Sequence, residues 1–189
     1  MKIETMKICI HNLPDSGLLL PLPSTGIAPY YDYEIPEIID IDHMLNGSEG
    51  FIKLLPTTFG SALTKLSSRE YAVANINKQS IARNTFFCPD YAQAQSLYCS
   101  SGGREYSFRF ATRVGIHVSP TKDWVGILFP HWDAILHIRF DANFLAPEGV
   151  VYLLEQAGKY VGNGHMRPEM GGSMGRWQVD YRRIQINRG

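Results

Sequence analysis

The chain reads as an α+β domain in which two helices pack on one face of an antiparallel sheet, and three segments carry that reading. Residues 134–141 alternate without a break, Ile135, His137 and Arg139 on one side against Leu136, Ile138 and Phe140 on the other, as a strand with one buried face requires. Residues 147–161 place Val150, Leu153, Leu154, Ala157 and Val161 on one stripe at helical spacing, with Pro147 in the first turn and Gly162 positioned to stop the helix. Residues 175–186 return to alternation, with Trp177, Val179 and Tyr181 on one face and Arg176, Gln178, Asp180 and Arg182 on the other.

The remaining elements follow in chain order. Residues 6–13 suit a first strand with Ile8 and Ile10 inward. Residues 14–36 contain Pro14, Pro21, Pro23, Pro29 and Pro36 and the cluster Tyr30, Tyr31 and Tyr33, which excludes a helix or a central strand and predicts an extended loop or an edge hairpin. The acidic and apolar residues 34–42 alternate and predict a further edge strand. Phe59, Leu63 and Leu66 recur at helical spacing, so residues 59–71 predict one short helix, with Thr57 or Thr58 as its cap. Residues 75–105 are polar and rich in small side chains, which predicts a long excursion from the core. Residues 106–118 alternate as a strand, residues 120–123 punctuate it, and residues 124–129 form another strand or a hairpin arm. Strand, helix, excursion, strands, helix, strand is the order of a split βαβ arrangement, so the expected fold is ferredoxin-like (RRM-like), with two helices on one face and a long loop or hairpin insertion. One domain over residues 1–189 accounts for the whole chain, with the proline-rich loop at 14–36 and the polar excursion at 75–105.

The composition, with 44% hydrophobic and 19% charged residues, excludes disordered and fibrous classes. Eighteen basic residues balance eighteen acidic ones, which excludes a uniformly basic nucleic-acid coat. Position changes the meaning of that sum. Residues 1–60 carry three Lys against eight acids, and residues 158–189 carry six bases against two, a balance of −5 at the front and +4 at the back. Either the charges are scattered, or a basic surface near the C-terminus is matched by an acidic one that shields it or meets a neighbouring subunit. Cys9, Cys88 and Cys99 have no paired spacing and read as free thiols of a reducing compartment. The first six residues lack the apolar run of a secretory signal, and the apolar runs elsewhere are short of a membrane span. The expected location is the cytoplasm, with no membrane partner.

The segment 157–177 holds six glycines between a helix and a strand. Gly162, Gly164, Gly171, Gly172 and Gly175 permit positive φ and close approach of a ligand, which would expose amide donors to phosphate oxygens. Lys159, His165, Arg167 and Arg176 add positive or protonatable groups. The competing reading is a tight helix-to-strand loop in which Arg167 pairs with Glu169. A dinucleotide fingerprint places its glycines between a strand and a following helix, and a Walker loop ends in Gly-Lys-Ser/Thr. Neither is present, so no cofactor is expected.

This ending of a helix in Ala157-Gly158, Gly162-x-Gly164 and Arg167, followed by glycines and then Gly175-Arg176-Trp177-x-Val179, resembles the glycine-rich loop of the RAMP superfamily, the ferredoxin-like subunits that hold guide RNA in CRISPR effector complexes. It is also similar to small phage and prophage proteins. The match covers roughly residues 134–180. The resemblance implies that Gly162, Gly164, Gly171, Gly172 and Gly175 line a nucleic-acid-contacting loop, with Arg167 and Arg176 near the phosphates. It also implies a thumb-like hairpin, for which 75–105 is the available segment, although only Arg83 and Arg104 flank the stretch 84–99.

Catalytic and metal motifs are weak. His11, His43, His117, His131, His137 and His165 include no His-x-x-x-His or His-Glu-x-x-His spacing, and His117 and His137 read as ordinary sheet residues. His165 is the one candidate for acid/base work on RNA, which would make the chain a metal-independent ribonuclease. The leading expectation is a non-enzymatic subunit that binds RNA or single-stranded DNA and assembles as a homo- or hetero-oligomer, with no catalytic and no metal site. The alternative is a phage-encoded interaction protein, an inhibitor or decoy of a host defence complex or a virion assembly component.

Overall fold

The computed structural model describes residues 2–21, 37–38, 50–54, 57–79, 81, 85–87, 95–99, 104–110, 113–114, 117–118 and 122–188. Twelve strands lie among them: β1 (Ile3–Asn12), β2 (Leu18–Pro21), β3 (Glu37–Ile38), β4 (Gly50–Leu54), β5 (Thr85–Phe87), β6 (Gln95–Cys99), β7 (Arg104–Phe110), β8 (Arg113–Val114), β9 (His117–Val118), β10 (Lys122–Phe129), β11 (Trp132–Asp141) and β12 (Trp177–Asn187). The helices are α1 (Thr57–Thr64), α2 (Ser68–Val73) and α3 (Pro147–Tyr160).

The main sheet runs β12-β1-β11-β6-β4-β3, with β5 also on β11, and every recorded pairing is antiparallel. With β1, β5/β6, β11 and β12 as the four strands of a split βαβ unit, the spatial order is fourth, first, third, second, and α1/α2 and α3 are its two crossovers. The fold is α+β and ferredoxin-like. Met6, Ile8 and Ile10 of β1 and Ala134, Leu136, Ile138 and Phe140 of β11 are all at most 2% exposed, and they meet Phe59 and Leu63 of α1 and Leu153, Leu154 and Ala157 of α3. Period two in the strands and period 3.6 in the helices therefore point into one core.

Three expectations change. The helix expected over 59–71 is two helices, because the hydroxyl of Ser67 accepts from the Arg69 amide and bonds the Glu70 carboxylate, which starts a new helix after the first has ended at Thr64. The excursion at 75–105 contains two strands of the main sheet. β5 pairs with β11 up to Phe87↔Ile138 and β6 resumes at Leu97↔Ala134, so ten residues on one strand cover four on the other. Six extra residues thus interrupt one strand position. The strand expected to run to residue 118 ends at Phe110, and β7 and β10 pair from Phe110↔Lys122 to Arg104↔Leu128. β8 and β9 pair at Val114↔His117, so the chain has already reversed before 120–123. β7 and β10 therefore form a long antiparallel pair, largely after the segment in which a hairpin was expected. The tyrosine cluster of the proline-rich loop lies outside the described residues, while β2, within 14–36, is an edge strand as its prolines require, in a second sheet of order β2-β10-β7. Glu37–Ile38 likewise forms an edge of the main sheet.

The second sheet closes one end of the core. Leu18, Leu20, Ile127 and Phe129 turn inward to the main cluster, and Leu19 and Leu128 turn the other way, where Met166 and Met174 pack on them. No helix among the described residues is long and apolar enough to cross a membrane.

Candidate functional site

The glycine-rich loop begins where α3 and β12 come closest. A Cβ on Gly158 would lie 2.2 Å from the Trp177 carbonyl oxygen and 2.7 Å from its indole, so only glycine lets the helix reach this strand. Trp177 is fully buried, donates through Nε1 to the Leu154 carbonyl at 3.2 Å, and packs edge-on against Phe59 at 5.5 Å. Gly162, with φ of +70°, ends the helix, and its amide reaches back to the Ala157 carbonyl at 2.9 Å.

Beyond it two arms run side by side. The Asn163 amide donates to Gly175 O at 2.9 Å and the Met174 amide to Met166 O at 2.8 Å. A Cβ on Gly175 would lie 1.7 Å from Asn163 O, and one on Gly172 would lie 1.9 Å from Met166 O. The loop also docks on the free edge of β2, where the His165 amide donates to Leu19 O at 2.8 Å and a Cβ on Gly164 would lie 2.6 Å from the same oxygen. The segment after β1 completes the cradle. Gly175 N donates to Gly17 O at 2.8 Å, and the buried Ser16 hydroxyl donates to Ser173 O at 2.7 Å while accepting from Arg176 N at 2.9 Å. Sequence reading missed Ser16 and Gly17; the turn-forming run Pro14-Asp15-Ser16-Gly17 was the available signal.

The amides of Gly162, Asn163, His165, Gly171, Gly172, Met174 and Gly175 are therefore bonded to the protein's own carbonyls. The close approaches that require Gly162, Gly164, Gly172 and Gly175 are to the protein itself. Gly171 differs: it has φ of +85°, is exposed, and a Cβ there would meet nothing within 4 Å. It is the glycine at which another molecule's backbone can come close.

The cations separate in the same way. Arg167 is 4% exposed; its Nε donates to Glu169 at 2.8 Å, Nη2 pairs with the same carboxylate at 2.7 Å, and Nη1 donates to Gly164 O at 2.9 Å and meets Met170 Sδ. Glu169 also holds Lys65, beyond the end of α1, at 3.1 Å. The pairing of Arg167 with Glu169 is thus formed, and it fixes the loop's shape from within. His165 is 7% exposed, and burial holds its ring below the usual imidazole range, so it is neutral at pH 7. Lys159 is bound by Glu155 at 2.9 Å, which raises its ammonium pKa. Arg176, half-buried at the loop's base, is the cation not engaged this way: its Nε is buried without an acceptor among the described residues, as is Asn163 Nδ2 nearby. Buried donors left in that state call for an acceptor.

This combination of a ferredoxin-like sheet with an ordered glycine-rich loop between the second crossover helix and the last strand defines the class of fold. Among solved structures the chain is similar to one in Type III-B Cmr-beta bound to cognate target RNA, with a TM-score of 0.52 at 8% identity over 99% of this chain. It spans 61% of that neighbour's length. No protein-family model and no curated protein matches the chain.

Proposed function

We propose that the chain is a nucleic-acid-binding subunit of a CRISPR-like or phage-encoded cytoplasmic assembly, which holds phosphates of RNA or single-stranded DNA along its glycine-rich loop and catalyses no reaction. Arg176 carries this reading, as a loop-base cation with a buried donor that has no acceptor among the described residues. Gly171 gives a ligand backbone access to the tip, and Lys159 adds charge at the end of α3. Gly162, Gly164, His165, Arg167, Gly172 and Gly175 shape and hold the loop that presents them. Fold likeness to a chain of an RNA-bound complex and the RAMP-like sequence pattern support the same assignment.

A phage-encoded protein-docking role is the second reading, favoured by half-buried Met166, Met170 and Met174 on the loop, since methionine adapts to varied apolar partners. Fluorescence polarisation with labelled single-stranded RNA and DNA separates the two. Binding at low salt that weakens steeply with added salt is expected. Arg176→Ala lowers affinity with the melting temperature unchanged, whereas Arg167→Ala lowers the melting temperature, and the double variant removes most binding. No binding by the native chain at low salt, together with a stable protein partner on purification, overturns the proposal.

A further inference from the structure

Helices cover one face of the main sheet; on the opposite face Cys9 is buried, and two rows of side chains toward the other end of β1 are exposed. The register sets these rows across three strands: Asn187, Thr5 and Arg139 in one, and Gln185, Lys7 and His137 in the next. All six are exposed. Neighbouring strands are about 4.8 Å apart and neighbouring rows about 7 Å apart, so Lys7, His137 and Arg139 form one compact cluster. Neither Lys7 nor Arg139 has a carboxylate partner among the described residues. On β1, β11 and β12 the two rows contain no acid; Asp141, one row beyond Arg139, is 4% exposed and accepts from the Lys2 and Asn143 amides, and Asp133 lies four residues beyond His137, about 13 Å along β11.

A third cation joins from the edge. Between Ile8↔Ile184 and Ile10↔Val179, β12 advances five residues while β1 advances two, so residues 180–183 bulge from the strand. Ile184 packs toward the core, which turns the exposed Arg183 to the open face at the end of the sheet nearer Asp133. The bulge also interrupts the edge of β12, which works against addition of a partner strand. In the row of Arg139 the next register position, on β5, is Phe86.

From this placement we infer that the open face of the sheet is a second contact surface, where Lys7 and Arg139, with Arg183 at its edge, bind the phosphate backbone of single-stranded nucleic acid. The inference takes its ligand class from the reading above but concerns a different surface. A cluster of exposed cations on a flat sheet suits a polyanion, because neutralising phosphates releases their counterions whatever the sequence of bases.

The test measures binding of a labelled oligo-uridine as a function of salt for the native chain, for Lys7→Gln with Arg139→Gln, and for a control with equal charge loss on helix α2 and just beyond it, Arg69→Gln with Lys78→Gln. All four residues are exposed, and melting temperatures check the fold. Losing two phosphate contacts makes the slope of log K against log salt shallower by about 1.4 and weakens binding on the order of 25-fold at 0.1 M salt, while the control stays near the native chain. If the face variant matches the control while Arg176→Ala weakens binding, the face proposal is overturned and the loop reading stands. If the native chain does not bind at low salt, both fall. If the face variant loses only a co-purifying protein and keeps its nucleic-acid affinity, the face is a protein interface and the proposal is likewise overturned.

Discussion

The Glu155 carboxylate on α3 accepts a 2.6 Å hydrogen bond from the Val179 amide of β12, at the last residue before that strand leaves its register with β1. Its other oxygen holds Lys159 at 2.9 Å. The strand's alternation fails beyond this point. Trp177 and Val179 are buried, at 0% and 5%, while Tyr181, expected on the same face, is 62% exposed. The bulge that follows Val179 changes which way the side chains face, and Glu155 supplies the partner for the backbone donor beside it.

Replacing Glu155 by Ala leaves the Val179 amide buried without its charged acceptor. Hydrogen bonds to charged groups contribute about 1.5–3 kcal/mol, so Glu155→Ala should lower unfolding stability by about 2 kcal/mol in urea titrations. Lys159→Ala, which removes only a half-exposed partner, should cost well under half as much. Equal losses would show that the ion pair, not the strand amide, is what matters.

The glycines should fall into two groups when changed to alanine. Gly171→Ala incurs only the positive-φ penalty, about 1–2 kcal/mol. Gly158→Ala forces the helix off Trp177, with an overpacking cost of about 1–3 kcal/mol or more. Gly175→Ala combines both effects, with φ of +68° and a 1.7 Å approach to Asn163 O, and should be the most damaging. Thermal melts of the three variants test this order. On the proposed function, Gly171→Ala also reduces nucleic-acid binding beyond its small effect on stability, because it adds a methyl where a ligand would approach.

His165 should make stability depend on pH in one direction. Burial lowers its folded-state pKa below the unfolded value of about 6.5, so the unfolded chain takes up the proton first. Its contribution is fully present above pH 6.5 and is lost as pH falls from there through the depressed folded value. Chemical unfolding at several pH values should show this loss in the native chain and a weaker dependence in His165→Gln. An equal dependence in the variant would assign the effect to other groups.

Local pattern was enough for much of this molecule. Ile8, Ile10, Leu136, Ile138, Phe140 and the Val150 to Val161 stripe were all legible as core residues and are all at most 5% exposed, because alternation and helical spacing record directly which side faces water. The helix stop at Gly162 and the close packing of a glycine-rich connection were equally visible, since glycine is the residue that tolerates positive φ. The Ser67-x-x-Glu70 cap that divides the first helical segment was also present in the sequence and was overlooked.

Other features depend on partners distant in sequence. Nothing local distinguishes Arg167 from Arg176 as cations, yet one is enclosed by Glu169, Gly164 and Met170 and the other keeps a donor without an acceptor among the described residues. Ser16 joins the loop only because β1 and β12 are neighbours in the sheet, which brings residues 157 and 160 positions apart within hydrogen-bonding distance. The cluster of Lys7, Arg139 and Arg183 likewise exists only through strand register. Alternation and helical spacing were enough for β1, β11, β12 and the long helix, because which side of each faces water is recorded residue by residue, but not for β5 and β6, whose place is set by pairing with β11 and β4. The tertiary structure decided which cations are internal and which face outward, because charge pairing and burial depend on residues that only folding brings together.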